Sequence, residues 1–461
     1  MGIQCPNNGG GTAPAGWFRP NGHFCNDYSM NPRRRRWLAA AAAASGLAGA
    51  GAALAWPDEG VFNPCLAPDT DRWLAHPLVR EALAGLDMAA LWDCHVHLMP
   101  GRGGSSSNVA GDAHADGADG GAHGGPWPAP LMRIQEWFIA ESACAGEPEN
   151  RPQPGAASGY LTALLARLQG LPPGCKLVLL AMDRYHDSAG RVRPERTHFS
   201  VPDALCERAF RRWPERFEWA ASVHPYRGDA VETIAEVVRR GAVAVKWIPA
   251  AQGIDPASAR CEPMYRELAR HGLALITHAG QERATAGDDA LGNPLRLRRA
   301  LDAGVRVIVA HCATMGDAVD LDRGANGPLV SSFSLFERLM DEPRHQARLM
   351  GDLSAIGQLA RAGPALATLL RNAATGAPWS TRLLYGSDYP IPAMMPLYSV
   401  RRLAALGFLD ERWVQPLREL RRHNAWLFDL VLKRRLRWQG TGFADSVFET
   451  RPRLAAPPRL S

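Results

Sequence analysis

The sequence predicts an α/β fold: a (β/α)8 TIM barrel with a loop/helix insertion after strand 1 and an N-terminal signal segment ahead of it. Three observations carry this expectation. Eight short apolar runs recur along the chain, continuous rather than alternating, as strands covered on both faces require. Amphipathic helical stretches, such as 230–240, 262–271 and 293–303, separate them, and that alternation builds a parallel sheet. Each run closes on a polar residue, and the C-terminal rim of a closed barrel is where its site is assembled.

Taken in order, residues 1–55 read as an N-terminal extension and signal peptide. Arg33-Arg34-Arg35-Arg36 precede an uncharged Ala/Gly-rich stretch that ends in Ala53-Leu54-Ala55, an A-x-A cleavage pattern. The run Arg34-Arg35-Arg36-Trp37-Leu38 resembles a twin-arginine signal, so the expected destination is the periplasm, with inner-membrane anchoring as the alternative. Residues 56–87 form a linker and lead-in helix, 88–438 the barrel with 101–175 as its insertion, and 439–461 a C-terminal tail.

Much of the net charge of +6 lies in the leader, because residues 1–55 hold five Arg and one Asp. The remainder is nearly balanced, which gives no electrostatic footprint for nucleic acid. A small-molecule substrate is expected, with no stable membrane partner apart from the export machinery. Oligomeric state is not set by the sequence. Of nine Cys, seven follow the leader, an odd number that leaves at least one thiol free in an oxidising compartment. Which of Cys65, Cys144, Cys175, Cys206 and Cys261 pair is open.

The first strand, Leu91 to Leu98, holds His95 and His97 two apart. Strand geometry puts both on one face, together with Asp93, and turns Cys94 and Val96 away. Two converging imidazoles suit a metal ion; a hydrogen-bonded core histidine is the plainer reading of either alone. The Gly/Ser-rich loop 101–126 carries Asp112, His114, Asp116 and His123, and its ordering entropy argues for a flexible cover rather than a ligand set. Strand two closes on Asp183, three on His224, four on Lys246, five on His278 and six on His311. Leu349 to Ser354 is the seventh run, and Leu383 to Asp388 the eighth.

His95, His97, Lys246, His278, His311 and Asp388 thus fall in one register at strand ends. This set resembles the amidohydrolase superfamily. Thr277-His278-Ala279-Gly280, Ala310-His311-Cys312, Tyr385-Gly386-Ser387-Asp388-Tyr389-Pro390 and Asn424-Ala425-Trp426-Leu427-Phe428 are similar to its amidohydrolase-related (amidohydrolase 2) branch of hydrolases and decarboxylases, over roughly residues 90–430. The resemblance implies a divalent metal, foremost Zn²⁺ as one or two ions, held by His95, His97, His278 and Asp388. It also implies Asp388 as the catalytic base and His311 as a catalytic acid/base group or, alternatively, a ligand to a second metal. Lys246 would be a bridging ligand if carboxylated, or a salt-bridging residue at the rim. Lys at a strand end stands out where three Lys face 49 Arg.

His224, Arg227 and Glu282 are candidate substrate contacts, with ordinary ion pairs and hydrogen bonds as the alternative. Asp93 is expected to orient an imidazole, and Trp426 and Phe428 to pack. The function implied is a metal-dependent hydrolase cleaving an amide, ester or lactone bond through a metal-activated water. The alternative is a metal-dependent decarboxylase acting on an unsaturated or aromatic carboxylic acid. A barrel that binds its ligand without turnover is the non-enzymatic reading.

Overall fold

The computed structural model describes residues 57–99, 129–145 and 159–455. The segment expected as a signal peptide and the loop 101–126 lie outside the described residues. Eight parallel strands run in the order β1 (Trp92–His97), β2 (Lys176–Leu180), β3 (Phe217–Ala221), β4 (Ala244–Trp247), β5 (Ala274–His278), β6 (Val307–Ala310), β9 (Leu349–Asp352) and β10 (Leu383–Leu384). The intervening β7 (Asp317–Val319) and β8 (Leu329–Ser331) form a separate antiparallel hairpin after β6. The ring closes between the last and first strands: Cys94 N donates to Tyr385 O at 3.0 Å, Asp388 N to His95 O at 2.8 Å and His97 N to Tyr389 O at 2.9 Å. This is the (β/α)8 barrel expected from the sequence.

Alternation along each strand divides the core into two layers. Val178 and Leu180, Ala220, Ala244, Ala274 and Ile276, Ile308, Met350 and Leu384 belong to one buried cluster with Trp92 and Cys94, drawn from all eight strands: the barrel interior. Their neighbours Leu177, Leu179, Trp219, Val245, Leu275 and Val307 pack in the larger cluster shared with the helices. Both faces are therefore dry, which explains the unbroken apolar runs.

The surrounding helices include Ala230–Arg239 and Glu262–His271, close to their expected bounds. The stretch expected as one helix over 293–303 instead divides into a 3-10 turn, Pro294–Leu297, and a short helix, Arg298–Asp302. Asn293 caps the turn by accepting from Leu295 N, and Pro294 follows it, which favours a tight start over a continuous helix.

Within the insertion, the helices Ala129–Ser142 and Gly159–Leu168 are described, and a disulfide joins Cys65 to Cys144. The other five described cysteines, Cys94, Cys175, Cys206, Cys261 and Cys312, are free and buried.

The described part of the C-terminal tail, residues 439–455, packs against the barrel. Trp92 N donates to Thr450 Oγ1 and Arg451 N to Ala90 O, while Leu454 joins the interior cluster from the end opposite the strand C-termini. Among the described residues no helix is long and apolar enough to cross a membrane.

Candidate metal centre

Strand β1 carries an irregularity. Its register against β2 shifts between Asp93 and Val96, as a β-bulge does, and the alternation of its side chains changes there. Trp92 and Cys94 face the barrel interior, and beyond the bulge His95 and His97 do so too. Cys94 thus stays inside, contrary to simple alternation, while Asp93 is turned outward. Its carboxylate accepts from His95 N (3.1 Å), Ser387 N (2.8 Å) and the Trp426 indole (2.8 Å). Asp93 therefore ties β1 to the segment after β10 and does not orient an imidazole. Trp426 donates a hydrogen bond besides packing.

The group that orients His95 is Asp352, at the end of β9. His95 Nδ1 donates to Asp352 Oδ2 at 2.9 Å, which leaves Nε2 as a lone pair toward the cavity, 3.2 Å from Lys246 Nζ and 3.6 Å from Asp388 Oδ1. Burial, aided by the Lys246 charge, pushes the His95 pKa down to about 4. His97 Nε2 stands 3.1 Å from the same Asp388 oxygen, and Tyr160 Oη fixes the His97 carbonyl at 2.7 Å.

Asp388 is held by a left-handed backbone (φ 63°) and by its bond to His95 O. Burial favours its neutral form, but the His97 hydrogen bond and the nearby His95, His97 and Lys246 outweigh this and bring its pKa to about 2. One ligand atom each of His95, His97 and Asp388 lie within 4.8 Å of one another. Two imidazoles and an ionised carboxylate, all converging, fit a divalent cation.

His278 and His311 complete the cavity floor, with ring centroids 5.2 Å apart. The His278 Nε2 is 3.4 Å from Glu282 Oε2, and its buried Nδ1 has no hydrogen-bond partner among the described residues. His278 is not in the tight trio, however. His311 lies one residue past β6 in a left-handed conformation (φ 54°), with its N donating to Asp352 Oδ1 at 2.9 Å and its ring Nδ1 2.7 Å from Ser354 Oγ. Burial holds its pKa well below the usual histidine range, and Arg361 adds to this, so the ring favours its uncharged form. Lys246 is buried, with its pKa lowered by burial, and makes no carboxylate ion pair among the described residues, so the salt bridge expected of a rim lysine is absent.

Of the three candidate substrate contacts, Glu282 lines the cavity and the other two do not. His224 is fully buried, with Nε2 donating to Gln252 O at 2.9 Å, and burial pushes its pKa to about 3. Arg227 is occupied by Asp183 and Asp229. Both are spent on the segments that follow β2, β3 and β4, where His224 also packs on His186 with ring centroids 4.4 Å apart. The residues that sequence reasoning missed are Asp352, Ser354 and Arg361. Asp352 had a visible signal, since it is the carboxylate within the seventh run, two residues before that run's end. Arg361 had none among 49 Arg.

The amidohydrolase family model (amidohydrolase 2) matches residues 92–415. The chain belongs to the amidohydrolase family. No curated protein matches it. Solved structures to which this amidohydrolase is similar include an uncharacterized TIM-barrel protein from Bordetella bronchiseptica (16% identity, 67% of this chain and 89% of that one, TM-score 0.41). Others are 4-oxalomesaconate hydratase from Rhodopseudomonas palustris (12%, 73% and 95%, 0.35) and 2,6-dihydroxybenzoate decarboxylase from Rhizobium (13%, 47% and 73%, 0.29). Likenesses at these values bear on neither reaction nor substrate. Membership makes the protein an enzyme of the amidohydrolase superfamily, and its His/Asp cluster matches that family's use of a divalent metal.

Proposed function

We propose that this amidohydrolase cleaves an amide, ester or lactone bond of a small molecule. The observation that carries the reading is the convergence of His95, His97 and Asp388, with neutral His311 beside them. His95, His97, Asp388 and His278 would hold the cation, with Zn²⁺ first among candidates for this nitrogen-rich set. Bound there, it supplies Lewis-acid polarisation of a carbonyl and lowers the pKa of water.

The protein's own groups move the protons. Asp388, ionised at neutral pH, accepts the proton of the attacking water at its carboxylate. His311, uncharged and aligned by Ser354 and by the Asp352 bond to its backbone, takes up or returns a proton at Nε2. Asp352 keeps the His95 tautomer fixed throughout. Export across the membrane on the N-terminal segment is part of the same proposal, and nucleic acid is not.

Metal analysis of the purified protein, combined with an activity screen over small amides, esters, lactones and carboxylic acids, tests this. One equivalent of metal fits a mononuclear site, and two fit a carboxylated Lys246. Hydrolysis that falls at least about a hundredfold in His311→Asn supports the assignment. Carbon dioxide release without water consumption assigns the decarboxylase instead, and no bound metal removes the reading.

A further inference from the structure

Arg361 lies between β9 and the helix Pro364–Asn372, lines the cavity of about 740 Å³ that holds the candidate metal ligands, and is 8% exposed. Two other deeply buried cations hold carboxylates, Arg421 with Glu59 at 3.0 Å and Lys433 with Asp429 at 2.5 Å, whereas buried Lys246 and Arg167 pair with none among the described residues. Among the described residues no carboxylate lies within ion-pair distance of Arg361. Its hydrogen bonds run to neutral oxygens instead, Nη1 to Thr314 Oγ1 at 2.8 Å and Nε to Gln358 Oε1 at 3.4 Å. Thr314 in turn donates to His311 O at 2.7 Å, so the guanidinium is fixed one hydroxyl away from the His311 backbone.

A guanidinium stays protonated even where burial disfavours it, as it does here. A buried cation without a counter-charge is strongly unfavourable, so its retention at a cavity wall points to a charge that arrives with the ligand. The acids whose charges act on it most, Asp388 and Glu282, are engaged by His97 and His278. Those same two carboxylates disfavour a dianion such as a phosphate ester and leave a monoanion. The planar fork of Arg361 matches a carboxylate. Met182, Phe199, Ile248, Met315, Met394 and Leu397 make the cavity wall otherwise largely apolar.

We infer that the substrate is a small, largely apolar molecule bearing a carboxylate that pairs with Arg361. This rests on the reading that the cavity is the substrate site, and it makes Arg361 the residue that selects acids over their neutral counterparts. The test uses 4-phenylbutanoate and its primary amide 4-phenylbutanamide as probes. Their affinities are measured by calorimetry on the wild type, Arg361→Met and Arg361→Lys, each chelator-treated and Zn²⁺-loaded.

The expected result is a wild-type preference for the acid of at least about tenfold in both metal states, lost in Arg361→Met and partly kept in Arg361→Lys. Equal or undetectable binding of the two probes to the wild type overturns the inference, and this comparison decides alone if Arg361→Met does not fold. A preference that needs Zn²⁺ and survives Arg361→Met places the anion on the metal, which also overturns it while leaving the metal centre intact. An Arg361-dependent preference in a protein that takes up no metal supports the inference and defeats the proposed hydrolase instead.

Discussion

Asp352 touches more of the candidate centre than any predicted ligand does. It holds His95 by the ring and both His311 and Ser354 by the backbone, and it is fully buried. Its pKa is driven below the usual carboxylate range by His95 and His311 despite the opposing effect of burial. Replacing it by Asn removes the charge that fixes the His95 tautomer. Asp352→Asn should weaken divalent metal binding about 10–100-fold in competition with a chelator; an unchanged affinity would show that His95 is aligned by packing alone.

Asp203 carries a different kind of prediction. Burial, reinforced by Asp183, lifts its pKa to about 7 against the lowering effect of the Ser222 N–H bond. The folded chain therefore keeps a proton that the unfolded chain, with an ordinary carboxyl, releases from about pH 4 upward. Folding takes up a proton across that window, so raising pH from about 4 to 7 lowers stability. Asp203→Asn should lack this slope, and parallel melting-temperature profiles of the two proteins would refute the shift.

At the scale of elements, the centre depends on how closely the end of β10 approaches β1. Gly386 makes that approach possible: a Cβ there would stand 2.9 Å from His95 Cβ and 3.3 Å from Cys94 Sγ, both on β1. The segment is also pinned from behind, where the buried Lys433 donates to Gly386 O at 2.7 Å and Asp93 accepts from Ser387 N. Gly386→Ala should destabilise the fold by about 1–3 kcal/mol in denaturant titration. It should also separate Asp388 from His95 and so weaken metal binding. A variant with wild-type stability would mean that the two strands can move apart freely.

Across the whole molecule, eight strands bring donors more than 290 positions apart into one cavity, and the C-terminal tail closes the barrel beneath them. Leu454 is fully buried in the interior cluster, so Leu454→Ala should lose about 2–5 kcal/mol of stability, the range for emptying a well-packed aliphatic site. A loss under about half a kcal/mol would make the tail dispensable to the core. The Cys65–Cys144 bond spans 79 positions and joins the lead-in segment to the insertion whose Gln135, Glu136 and Ile139 line the cavity.

By itself the sequence determined the barrel and the register of its rim. Continuous apolar runs encode a doubly covered parallel strand, and a polar residue closing each run marks the end where donors collect. His95, His97, His278, His311, Lys246 and Asp388 could be named on that basis, and all six line one cavity. Tertiary structure alone decided which face Asp93 takes, because a bulge depends on the pairing of β1 with β2 and has no signature in β1 itself. It also decided that Asp352 aligns the imidazole, that His224 and Arg227 turn away, and that Arg361 is a buried cation with no carboxylate beside it. Each of these is a relation between residues distant in the chain, and periodicity reports only on neighbours.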